Sequence, residues 1–167
     1  AAGQHRGLRG GARRAAGAIM SGSSVGRAGG PAGALQEALA AQNAAIFGYG
    51  VAGAYMSGAQ QSTATTFWND HRSAGDTLAA MLRARGAPPA AAQASYKMPF
   101  AVHDRGQAVA LALYLEDGVT AAYLGLVGAA GQASLRAFGA EAMQAAAVRA
   151  TYWRGSALAF PGLPATR

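Results

Sequence analysis

From Leu35 onward the apolar residues return every three or four positions. Leu35, Leu39, Ile46, Tyr49 and Gly53 share one helical face, and Gln42 sits in the middle of it. This spacing predicts a first helix over residues 34–57, after Pro31 and before Gly58. A second helix is predicted over 63–85, with Ser62 as its N-cap and Phe67, His71, Ala74, Leu78 and Leu82 as its face; the following "RGAPP" stops it. The third starts after Asp104, with Gln107 in capping-box position, and turns Val109, Leu113, Glu116, Thr120, Tyr123 and Val127 inward. The fourth starts near Ser134, with Phe138, Glu141, Ala145, Val148 and Tyr152 as its face before Gly155. No strand alternation and no internal repeat interrupts this pattern.

The connections set the topology. Short turns join the first helix to the second and the third to the fourth, which makes two antiparallel hairpins. Between them runs "APPAAAQASYKMPFAVH", residues 87–103, long for a connector without periodicity. Extended, it reaches at most roughly 55–60 Å, whereas a helix of about 23 residues is roughly 35 Å long. It can therefore cross the bundle lengthwise and leave helices two and three parallel, with Tyr96, Met98 and Phe100 as its anchors. An all-α, four-helix bundle with one long crossover between helices two and three is the ferritin-like arrangement. Gly48, Gly50 and Gly53 on the first helix cost helix stability and point to close helix–helix contact, within the bundle or across a dimer.

Five stretches sharpen this picture: "LQEALAAQNAAIFGYGV", "HRSAGDTLAAMLRARGAPP", "YKMPFAVHD", "LALYLEDGVTAAYLGLV" and "AAAVRATYWR". In this order they resemble a family of small, uncharacterised ferritin-like proteins of high-GC Gram-positive bacteria, over about residues 34–160. The resemblance implies the bundle fold and a cytoplasmic setting, and no particular reaction.

Composition agrees with an all-α chain. The apolar share is 51%, much of it alanine, while aromatics make up only 8%. The absence of cysteine excludes disulfides, thiolate zinc sites, iron–sulfur clusters and cysteine nucleophiles. The formal charge of +7 suggests nucleic acid until it is located. Residues 1–30 carry five arginines and no acid, so residues 31–167 are left with +2. The basic segment has no aromatic residues to stack on bases, and nucleic acid is not an expected partner. Three segments are expected: a flexible tail over 1–32, the bundle over 33–157 and a C-terminal tail over 158–167. Residues 1–19 read as upstream sequence ahead of a start at Met20. The apolar run from Ala44 to Met56 is shorter than a membrane span, so the expectation is a cytoplasmic homodimer without membrane contact.

A ferritin-like metal centre sets a test for the polar residues on these faces. Two helices each supply a Glu, and two supply Glu-x-x-His. Here Gln42 stands for the first Glu, with Glu37 rotated off that face, and His71 has Trp68 three residues before it. Glu116 is in place, while Glu141 is followed three residues later by Gln144. The candidate metal ligands are then His71, Glu116 and Glu141, and two carboxylates do not balance two divalent ions. A single Fe, Mn or Zn ion on that reduced set is the alternative, with the chain a metal-dependent oxidoreductase or metal-binding protein. The leading expectation has no cofactor: Gln42, His71, Glu116, Glu141 and Arg149 form a buried polar network. In it, Arg149 pairs with one carboxylate and His71 bonds to another. The function expected is binding or homo-oligomer assembly, and no catalytic residue is assigned.

Overall fold

In the computed structural model, which describes residues 30–156 and Pro161, four helices pack without a strand among the described residues. Most of both expected tails, residues 1–19 and Met20 included, lies outside the described residues. Helix α1 (Pro31–Gly53) starts three residues before the expected Ala34. Pro31 falls in the first turn, where a missing N–H breaks no helical bond. Helix α2 (Gly58–Arg83) also starts earlier than expected, with Ser57 rather than Ser62 at its N-cap. Ser62 lies inside the helix with its hydroxyl directed to the carbonyl of Gly58 one turn back. Helix α3 (Arg105–Ala129) opens on Asp104, whose carboxylate accepts from the Gln107 amide at 2.8 Å. Gln107 returns a bond, its Oε1 accepting from the His103 amide at 2.7 Å. Helix α4 (Ala133–Arg154) ends at Gly155, which takes the left-handed φ of 76° that a helix stop requires.

Side-chain pairs fix the directions. Gln42 meets Tyr123 and Tyr49 meets Glu116, so α1 and α3 run antiparallel. Gln42 also meets His71, and Ile46 meets Trp68, so α2 is antiparallel to α1 and parallel to α3. The connector over residues 84–104 makes this possible by running along α1. Near the start of α1, Gln36 bonds the carbonyl of Pro88 and the amide of Ala90. Further along, the Tyr96 ring packs 5.5 Å from that of Phe47. Met98 rests on the core, while Phe100, an expected anchor, is 38% exposed.

The core is built for close approach. Alanines 38, 41, 45 and 52 of α1 are buried. At Gly48 an added Cβ would lie 2.5 Å from Cδ1 of Leu115, so that glycine sets the α1–α3 spacing. Gly50 and Gly53 have no neighbour within 4 Å of that position. Helix α3 is long and apolar enough to cross a membrane by length and composition, with a mean hydropathy of 1.3 over its best window. Much of that window is buried in the bundle, and Glu116 and Asp117 are paired with arginines of α4, as in a core helix.

Helix α4 departs from the sequence reading. Its buried residues are Leu135, Gly139, Ala146, Ala150 and Trp153, whereas Val148 is 69% and Tyr152 47% exposed. The true face is one residue on from the expected one, a rotation of about 100°. Gly139, where a Cβ would come 3.0 Å from Val127, and the indole of Trp153 set that rotation.

Candidate functional site

Each helix sends polar groups to one point in the middle of the bundle. Gln42 and Tyr49, two turns apart, come from α1, and His71 comes from α2. Glu116, Thr120 and Tyr123 descend one face of α3, and Arg149 and Trp153 lie one turn apart on α4. Gln42, His71, Glu116 and Thr120 are at most 1% exposed.

Glu116 is the hub. Its Oε1 accepts from the Tyr49 hydroxyl at 2.7 Å, faces Nε2 of His71 at 3.0 Å and accepts from Nε of Arg149 at 3.0 Å. Nε of Arg149 also lies 3.1 Å from Oε2. Thr120 bonds the Glu116 carbonyl at 2.7 Å, and the Trp153 indole donates to the Tyr49 hydroxyl at 2.7 Å. On the far side of the imidazole, Nδ1 meets Oε1 of Gln42 at 2.7 Å, and the Gln42 amide nitrogen lies 2.9 Å from the Tyr123 hydroxyl. Among the described residues no buried side-chain polar atom lacks a partner.

The charges close without help. Glu116 is balanced by Arg149, whose side chain is 12% exposed. A cationic His71 would leave one uncompensated charge in a low-dielectric core, which costs several kcal/mol. The oxygen and nitrogen of an amide occupy the same shape, and exchanging them at Gln42 suits a neutral ring. The amide then donates to Nδ1 and accepts the Tyr123 hydroxyl proton, and Nε2–H donates to Glu116. This answers why a neutral amide points into the core: it is a group that donates and accepts at once without adding charge. Burial first, and then the Glu116 charge, hold the Tyr49 hydroxyl well above its ordinary pKa. Burial also raises that of Tyr123.

Of the residues singled out from sequence, Gln42, His71, Glu116 and Arg149 meet here, and Glu141 does not. Rotation of α4 leaves Glu141 exposed to solvent. Arg149 and His71 therefore share one carboxylate instead of taking one each. Tyr49, Tyr123, Thr120 and Trp153 complete the network; the first three lie on the helical faces expected from sequence, whereas Trp153 lies off the expected fourth face. A core tyrosine carries no local signal for the direction of its hydroxyl. A weak signal existed for Trp153, since 139, 142, 146, 149 and 153 also keep helical spacing. As a metal site the donors do not fit: among the described residues no three His or carboxylate groups cluster. The open side of Glu116 is filled by a guanidinium, which has no lone pair to give.

Similarity to known proteins agrees with this architecture. The crystal structure of the conserved hypothetical protein rv2844 from Mycobacterium tuberculosis superposes with a TM-score of 0.73 at 32% identity, covering 75% of this chain and 95% of that one. No curated protein matches the chain. A family model described as a domain of unknown function, DUF4439, matches residues 34–165, a span that holds every residue of the buried network. The chain belongs to the DUF4439 family.

Proposed function

We propose that this chain is a ferritin-like bundle in which a buried salt-bridged network stands where relatives with that fold hold metal, and that it acts by binding and by assembly as a homodimer in the cytoplasm. One observation carries the reading: Arg149 covers both oxygens of the single buried carboxylate, Glu116. Set in the ferritin-like frame, the six ligand positions are Gln42, Trp68 with His71, Glu116, and Ala146 with Arg149. Only His71 and Glu116 are ligand types, and one carboxylate cannot offset two divalent ions. A reduced His71, Glu116 and Glu141 set draws no support from an exposed Glu141.

Assembly is supported by the outer face of α3, where Tyr114, Gly118, Ala121, Gly125 and Gly128 are exposed without a charge among them. A double-mutant cycle tests the structural role of the pair. Glu116→Leu or Arg149→Leu alone strands a buried charge and is expected to cost about 3–5 kcal/mol. The double variant removes both charges and should recover most of that loss. A double variant as unstable as the two single losses added together would contradict a structural role.

A further inference from the structure

Three sides of the bundle are closed by backbones in close approach: α1 on α2, α1 on α3 and α3 on α4. The fourth side, between α2 and α4, is not. At the Tyr152 end side chains bridge it. The Thr63 and Tyr152 hydroxyls lie 3.2 Å apart, and the Phe67 ring packs against Tyr152 and Trp153. The Arg149 guanidinium lies 5.9 Å from the same Phe67 ring. Beyond it, among the described residues, no hydrogen bond, ion pair or ring contact joins the two helices directly. Val148, Ala145 and Glu141 continue the stripe of Tyr152 along α4 and are exposed, Val148 at 69%.

Arg149 gives this seam a polar demand as well as an apolar one. Only its Nε is used on Glu116; the two terminal nitrogens have no hydrogen-bond partner among the described residues and reach the surface. The charge of Arg149 is already balanced by Glu116. Its free N–H groups therefore suit a neutral acceptor, such as a peptide carbonyl, rather than a second anion.

The chain beyond α4 has the chemistry to meet both demands. Residues 157–164 read "ALAFPGLP", in which Phe160 and Leu163 each precede a proline. That position favours extended backbone, and an extended proline-rich segment keeps its carbonyls free of internal bonds. The segment lies within the span of the family match, which runs to residue 165, and Pro161 is partly buried. Gly155 turns the chain out of the helix. From there Val148 is roughly 10 Å and Ala145 roughly 15 Å back along α4, and eight extended residues reach up to roughly 26 Å.

We propose that residues 157–164 fold back along the α2–α4 seam, with peptide carbonyls on the terminal nitrogens of Arg149 and with Phe160 and Leu163 covering Val148 and Ala145. The segment closes the open side of the bundle over the guanidinium. This assignment goes beyond binding and assembly, and it depends neither on the α3 face nor on whether metal is bound.

The chain has no cysteine, so an introduced pair reports alone. Full-length Ala145→Cys/Leu163→Cys, treated with a short bismaleimide, should give mainly an intramolecular link, monomeric on a denaturing gel and located by mass spectrometry of the joined peptides. Ala40→Cys/Leu163→Cys, with the first cysteine exposed on α1, should link at least tenfold less. Adding Phe160→Ser to the Ala145 pair should lower its yield at least threefold. Circular dichroism confirms that each variant is folded. Equal linking in the two pairs, or a yield unmoved by Phe160→Ser, would overturn the proposal. Links mainly between chains would also overturn it, since the seam would then hold the segment of a second copy.

Discussion

Arg149 places Nε 3.0 and 3.1 Å from the two carboxylate oxygens of Glu116, across the α3–α4 contact and at the centre of the bundle. The contact neutralises the one fully buried acid of the described core. The other partners of Glu116 are neutral donors, so the hub has a satisfied set of bonds and a closed charge balance.

Tyr49 joins that hub to Trp153. Replacing Tyr49 with Phe removes a donor to Glu116 and leaves the buried indole N–H without its acceptor. A loss of about 1–3 kcal/mol is expected, read from the shift of the urea midpoint at unchanged slope. A midpoint unmoved by the change would show that neither bond matters.

Alkaline pH should unfold the protein by way of the same hydroxyls. Tyr49 and Tyr123 keep their protons in the folded state beyond the ordinary tyrosine value of 10.0. Above about pH 10 the unfolded chain releases both protons while the folded chain retains them. The stability that the two groups contribute is fully present below that pH and is lost as pH rises. Tyr49 alone should bring the slope toward about 1.4 kcal/mol per pH unit, and Tyr123 should add to it with the same sign. Tyr123→Phe should make the slope shallower in equilibrium unfolding between pH 9 and 11.

Two glycines of α1 should answer oppositely to alanine. At Gly48 a Cβ meets Leu115 at 2.5 Å, so Gly48→Ala makes the Leu115 side chain repack in the α1–α3 contact, with an expected cost of about 1–3 kcal/mol. At Gly50 nothing lies within 4 Å, and Gly50→Ala should gain about 0.5–1 kcal/mol of helix propensity. Thermal melts of both variants give the comparison directly, and a loss at Gly50 would point to a partner chain packed there.

The proposed assembly through α3 can be tested without touching the core. Gly125 is exposed and has open space around it. Sedimentation velocity should find a dimer for the wild type and a monomer for Gly125→Arg, with helix content unchanged. A wild type that stays monomeric at high concentration would remove the dimer from the proposed function.

How much of this was legible in the sequence varied by helix. The faces of α1 and α3 alternate large apolar with small residues, so the inward turn of Gln42 and of Glu116 followed from spacing alone. Asp104 and Gln107 announced the start of α3 because capping is local chemistry. The crossover followed from chain length. Helix α2 hid its first turn because Gly58 opens it and Ser62, which reads as an N-cap, instead bonds the Gly58 carbonyl from inside the helix. Helix α4 was misread because alanine marks no face. Val148 and Glu141 drew the periodicity one residue away from Gly139 and Trp153, whose packing against distant residues decides the rotation. The network itself depends on hydroxyl directions that no local pattern encodes.

The metal content of protein grown with added iron, manganese and zinc, and purified without chelator or histidine tag, bears most directly on the role of Arg149. Plasma mass spectrometry should find no stoichiometric transition metal in a folded wild type. About one ion per chain, lost in Glu116→Ala, would mean that the guanidinium yields its place to a metal and that the buried network is a binding centre after all.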